Sequence, residues 1–145
     1  MSQHAESPSA HGLVTYLHPK SLHHNPAFTQ VISVSGPGKT IYVGGQNAVD
    51  AQGTIVGKGD IKAQTQQVLA NVRAALAAAG AGPEHLIKWN VYLVQGHSLR
   101  EGFEAVQQFW GSRPNPPVVT MAYVSGLANP DFLLEMDAVA VVPLA

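Results

Sequence analysis

The acidic side chains best placed to do chemistry lie near the end of the chain, in Leu133-Leu-Glu-Met-Asp-Ala-Val-Ala-Val-Val142. Side chains two apart in a strand share a face, so Glu135 and Asp137 stand with Leu133, Val139 and Val141. One reading is a solvated edge or an ion pair at the end of a sheet. The other is a carboxylate in a partly dry cleft, where loss of solvent favours the protonated form and lets the group pass a proton to and from water. A second signal is Gly44-Gly45 inside the strand-like Ile41-Tyr-Val-Gly-Gly-Gln46. Adjacent glycines there imply a close approach to the backbone, by a neighbouring element or by a ligand.

Other chemistries find little support. The seven histidines (His4, His11, His18, His23, His24, His85, His97) include no H-E-x-x-H helix and no helical i, i+4 pair, so they read as exposed loop and tail residues and no metal site is expected. With 0 Cys there is no thiolate nucleophile, zinc-thiolate site or disulfide. No serine sits in a G-x-S-x-G elbow, and Gly36-Pro37-Gly38-Lys39 lacks the spacing of a phosphate cradle and reads as a hairpin turn.

The elements that must position Glu135 follow from periodicity. Residues 1–12 show none and are expected to form a loose tail before a single domain over 13–145. Residues 13–17, 28–35 and 41–46 read as strands. From Asp60, a plausible N-cap, Ile61, Thr65, Val68, Val72, Leu76 and Ala79 make one helical stripe that stops at Gly80. Residues 85–94 alternate, with Ile87, Trp89, Val91 and Leu93 on the covered face. Ser98-Leu-Arg-Glu101 is a capping box, and Leu99, Phe103, Val106 and Trp110 are the expected inward stripe of a second helix ending near Gly111. Val118–Val124 and Leu133–Val142 close the fold. The class is α+β, with two helices on one face of a mixed sheet of four to six strands.

Only 12% of the 145 residues are charged, against roughly 25% in an ordinary soluble domain, so part of the exterior is expected to be covered by copies of the chain. A net charge of −1 with Arg73, Arg100 and Arg113 scattered leaves no cationic footprint for nucleic acid or an anionic membrane. The first residues carry no apolar core of a signal peptide, and no apolar run approaches a membrane span, so a soluble cytoplasmic protein is expected.

Several segments, in order and at the right spacing, resemble the reactive intermediate deaminase (RidA/YjgF) family from about Leu13 to Val142. Asn25-Pro-Ala-Phe-Thr-Gln30 is similar to its proline-aromatic-x-Gln segment and Ile41-Tyr-Val-Gly-Gly-Gln46 to its strand ending in Ser-Gly-Gln. Asp60-Ile61, Gln64-Thr65, Asn71-Val72 and Ala79-Gly80-Ala81 match its first helix, Phe109-Trp110 an aromatic pair, and Leu134–Ala140 its closing strand. The resemblance implies a chorismate-mutase-like homotrimer with a central barrel, helices outside and three clefts between subunits. It also implies hydrolysis of 2-imino and 2-enamino acids to 2-keto acids and ammonia, with no metal or cofactor. By the same resemblance Glu135 positions the water, and the backbone at Gly45, beside Gly44, contacts substrate. Phe28 closes the cleft, and Thr120 lies where backbone contacts are expected. The family's carboxylate-anchoring arginine, in Pro-Ala-Arg-Ser, aligns with Val118. A valine cannot form the bidentate pair a guanidinium makes, so the expected substrate is a small, less polar imine, enamine or related metabolite. The alternatives are a trimer that binds a small molecule without turnover and, behind it, an endoribonuclease.

Overall fold

Strand β1 (Leu13–Leu17) pairs antiparallel with β2 (Val31–Ser35) as a two-stranded ribbon, and β3 (Gly38–Gln46) then leads to helix α1 (Ile61–Ala78). A short 3-10 turn (Pro83–His85) precedes β4 (Leu86–Val94), followed by α2 (Leu99–Trp110), β5 (Val118–Val124) and β6 (Leu134–Pro143). These ranges come from a computed structural model that describes residues 12–144. The tail expected over residues 1–12 lies outside the described residues except for Gly12, whose N–H donates to the Leu144 carbonyl at 2.9 Å.

The main sheet runs β3-β6-β4-β5, with β4 and β5 parallel and the other pairs antiparallel. The expected mixed sheet is therefore divided, four strands in one sheet and two in the other. Residues 28–30 are not strand, because the preceding turn is held by Asn25 Oδ1, which accepts from Ala27 N at 2.8 Å.

Helix α1 starts where the sequence indicates: Asp60 Oδ1 accepts from Ala63 N at 3.0 Å, and Gly80 takes φ +75° beyond the last turn. The Lys39 ammonium donates to the Ala79 carbonyl, a cation at the negative end of the helix. Ile61, Val68, Leu69, Val72 and Leu76 pack on Ile41, Val43, Met136, Ala138 and Ala140. Helix α2 adds Ala105, Phe109 and Trp110, with Phe109 and Trp110 ring centroids 6.0 and 6.4 Å from that of Trp89.

Two sequence-based stripes need correction. On β4 a bulge at Ile87, between the pairs Leu86↔Ala140 and Lys88↔Val139, turns Leu86 rather than Ile87 into the core. On α2, Leu99 and Phe103 remain 44% and 42% exposed, while Ala105 is buried. Gly102 lies against Thr65 of α1, so the helix meets its neighbour along its small residues and the large ones of its first turns are left outside. Only the forward half of the Ser98 cap is made, with Glu101 N donating to Ser98 Oγ at 3.3 Å.

Candidate functional site

Residues paired across a ladder point to the same face, so the register sorts the sheet. Leu134, Met136, Ala138 and Ala140 of β6 face the helices and are buried. The opposite face is crossed by three rows: Tyr42–Val139–Lys88–Val118, then Asp137–Asn90–Thr120, then Glu135–Tyr92–Ala122. No helix covers it, and Tyr42 is 80% exposed.

Glu135 is held by three devices. Between the pairs Val43↔Ala138 and Gln46↔Met136 strand β3 carries one extra residue, a bulge at Gly44-Gly45. The Glu135 carboxylate lies over this bulge: a Cβ added to Gly45 would meet Glu135 Oε2 at 2.6 Å, whereas one on Gly44 would meet nothing within 4 Å. The two glycines thus separate, Gly45 giving room to a carboxylate and Gly44 facing open space. Just before Glu135, Gln64 is fully buried and donates through Nε2 to the Asp131 carbonyl (2.8 Å) while its Oε1 accepts from Leu133 N (2.9 Å). Asn47 Nδ2 donates to the Leu134 carbonyl at 3.2 Å, and Asn71 Nδ2 of α1 holds the carbonyls of Asn47 and Val49 at 3.0 and 2.9 Å. Asp137 has a different setting, accepting from Asn90 Nδ2 at 2.7 Å across the strands.

Gln64 was not among the residues the sequence singled out for a role. The signal was there, since it lies three residues after Ile61 and four before Val68 on an apolar stripe, where a polar side chain must find partners. Replacing it with leucine keeps the bulk and orphans Leu133 N and the Asp131 carbonyl. Each buried unpaired group costs about 1–3 kcal/mol, so Gln64→Leu is expected to lower unfolding free energy by about 2–4 kcal/mol, read from urea denaturation.

A second group forms at the other end of the sheet. Thr29, 1% exposed, donates through Oγ1 to the Pro116 carbonyl at 2.5 Å and through N to the Pro117 carbonyl at 3.2 Å. This ties the segment after half-buried Phe28 to the residues just before β5, whose Val118 is half-buried and Thr120 exposed. Val118 stands four residues before Ala122, the residue in the Glu135 row, and two strands across. At about 3.3 Å per residue and 4.8 Å per strand, that places it roughly 16 Å from Glu135. One chain therefore brings Glu135 together with Gly45 but leaves Val118 at the far end of the sheet.

No arginine joins either group. Arg73 lies over the Phe109 ring, 5.1 Å from its centroid; Arg100 pairs with Glu104 at 3.4 Å; Arg113 Nη1 donates to the Phe109 and Trp110 carbonyls at 2.9 and 3.0 Å. Among the described residues no cluster of three His, Asp or Glu side chains is arranged to hold a metal ion, and no helix is long and apolar enough to cross a membrane.

This four-stranded sheet with two helices on one face defines a class of small α+β proteins, and known proteins are similar to it. The family model described as Endoribonuclease L-PSP matches residues 20–142. A RutC family protein of Pyrococcus abyssi is 34% identical over 113 residues, 78% of this chain and 84% of the relative. The crystal structure of the Rid family protein YyfB from Yersinia pestis superposes with TM-score 0.77 at 30% identity, covering 89% of this chain and 98% of that one. Escherichia coli TdcF with bound serine superposes with TM-score 0.65 at 26% identity, covering 82% and 96%. The chain belongs to the RidA/YjgF family.

Proposed function

We propose that the protein hydrolyses small imines or enamines, without a cofactor, in a cleft shared by two copies within a homotrimer. The observation that carries this reading is the Glu135 carboxylate seated over Gly45 on a sheet face that no helix covers. The imine carbon is already electrophilic, so the protein has modest work to do. Glu135 accepts a proton from water as the water oxygen bonds to that carbon. That proton passes to the nitrogen to give a neutral carbinolamine; Glu135 then takes the hydroxyl proton and delivers it to the nitrogen as the C–N bond breaks, and ammonia and a carbonyl compound leave. Backbone groups at Gly44 and Gly45 contact the substrate, while Phe28, Val118 and Thr120 of the neighbouring copy complete the cleft. The apolar Val118 end favours a substrate less polar than a 2-imino acid.

Support for the assembly comes from the uncovered sheet face and from strand β5, an edge whose Met121 and Tyr123 are exposed. An apolar edge strand of this kind is a liability unless something covers it. Light scattering at micromolar concentration should give the mass of three chains; a stable monomer or dimer would sink the shared cleft. Ammonia release from a panel of imines generated in situ tests the chemistry.

The bound serine of TdcF favours a second reading, a trimer that holds a small ligand without turnover. Ligand binding with no ammonia release from any imine would select it. The family description Endoribonuclease points to RNA, but the three arginines are engaged elsewhere and 8 Lys plus Arg are balanced by 9 Asp plus Glu. RNA affinity that falls steeply with salt would revive that activity.

A further inference from the structure

Glu135 does not stand alone in its row. Tyr92 of β4 is paired directly with it across the antiparallel β4-β6 ladder, and Ala122 of β5 is the next member. Side chains directly opposite each other in such a ladder start about 5 Å apart and share a face. Tyr92 therefore stands beside Glu135 on the face that no helix covers. The Glu135 carboxylate is turned the other way, toward β3, where it lies over Gly45. Strands β3 and β4 flank β6, so their backbones run about 10 Å apart. A small molecule above the stem of Glu135 meets the carboxylate on one side and Tyr92 on the other.

The surroundings narrow what Tyr92 can do there. In the adjoining row Asn90 and Asp137 are engaged with each other, Asn90 Nδ2 donating to Asp137 Oδ1 at 2.7 Å. Ala122, beyond Tyr92, offers only a methyl group. Among the described residues the Tyr92 hydroxyl has no hydrogen-bond partner, and no polar side-chain atom there is both buried and unpartnered, so half-buried Tyr92 keeps its hydroxyl in contact with solvent. A half-buried ring with an open hydroxyl suits a ligand that is apolar along its side and carries a hydrogen-bonding atom at one end.

We propose that Tyr92 is a second catalytic residue, whose phenol donates a hydrogen bond to the nitrogen of a neutral imine while Glu135 takes the proton of the attacking water. The assignment rests on imine hydrolysis at Glu135. As the water oxygen bonds to carbon, the π pair of the C=N bond moves onto nitrogen, which then holds two lone pairs. One accepts the proton that Glu135 has taken from water, and the other accepts the hydrogen bond of Tyr92. Tyr92 keeps its own proton throughout and is unchanged when Glu135 delivers the hydroxyl proton to the nitrogen and the C–N bond breaks. A donor aimed at charge that develops on nitrogen acts more on the transition state than on the bound substrate.

Tyr92→Phe removes the hydroxyl and keeps the ring. With the imine that the wild-type protein hydrolyses best, it should lower kcat for ammonia release roughly five- to tenfold, the worth of one neutral hydrogen bond. KM should change by less than about twofold, because the lost interaction belongs to the transition state, and the melting temperature should stay the same. The acid limb of the pH profile of kcat/KM, which reports Glu135 in the free protein, should not move. A wild-type kcat in the variant would remove Tyr92 from the chemistry and leave Glu135 in place. A raised KM with kcat unchanged would make the ring a wall and overturn the proposal. So would an acid limb raised by about half a pH unit or more, since a hydrogen bond to a carboxylate favours its charged form and its loss raises the pKa; Tyr92 would then act on Glu135 rather than on substrate. No ammonia from any imine with the wild-type protein would overturn the hydrolysis itself, and the role of Tyr92 with it.

Discussion

Glu135→Gln should reduce imine hydrolysis by roughly 10²–10⁴-fold, the usual contribution of a positioned general acid or base, while the protein stays folded and keeps its assembly state. Glutamine preserves the shape that fits over Gly45 but cannot take up a proton. The substitution is also mild structurally, because among the described residues the carboxylate has no ion-pair partner, and it stands over a glycine rather than in the core. The measurement is ammonia release under single-turnover conditions, with circular dichroism on the same samples. Activity within about threefold of wild type, against the loss expected of a general acid or base, would return Glu135 to a structural role. The proposed hydrolysis would then need another residue.

Val118→Arg should produce the opposite change. If the carboxylate of a 2-imino acid meets the methyl groups of Val118, it loses water and gains nothing in return. A charge-assisted hydrogen bond there is worth about 1.5–3 kcal/mol, so the specificity constant for 2-iminopropanoate should rise roughly ten- to a hundredfold. The structure bears on whether such a variant folds. Val118 is the half-buried first residue of an edge strand, on the face away from the helices, so an arginine can extend outward without an unpaired charge in the core. Its direct cross-strand neighbour is Lys88, and like charges opposite each other cost about 0.2–1 kcal/mol. A melting temperature lowered by a few degrees is expected, with rate and melting measured together. A folded variant with no gain would place the carboxylate end of the cleft elsewhere.

How far each feature was legible from the residues depends on the range of the interaction behind it. Helix α1 was readable with its cap and its stop, because a 3.6-residue repeat, an Asp60 side chain three residues from its partner and a Gly80 at positive φ are all local. Strand β5 was read with its observed bounds, Val118–Val124, for the same reason. The sharing of one face by Glu135 and Asp137 followed from period two alone, and the register agrees.

What no local pattern could show is where these pieces meet. The bulge at Ile87 and the exposure of Leu99 and Phe103 arise from how β4 and α2 pack on their neighbours, an energy shared among residues far apart in sequence. Gly44-Gly45 announced a close approach but not the agent. Only the β3-β6 pairing brings a side chain ninety positions later over Gly45 while Gly44 stays open. The same holds for Gln64, whose partners lie 67 and 69 residues away. The sequence alone determined the elements, the α+β class, the poverty of surface charge and the two acids of the last strand, because each is written in composition or in contacts a few residues long. The tertiary structure alone decided that, among the described residues, Asp137 rather than Glu135 is the carboxylate with a hydrogen-bonded partner, since Asn90 reaches Asp137 only through the pairing of β4 with β6. It also decided that Glu135 and Val118 stand at opposite ends of one sheet, because strand order and register set that separation and neither exists until the chain has folded.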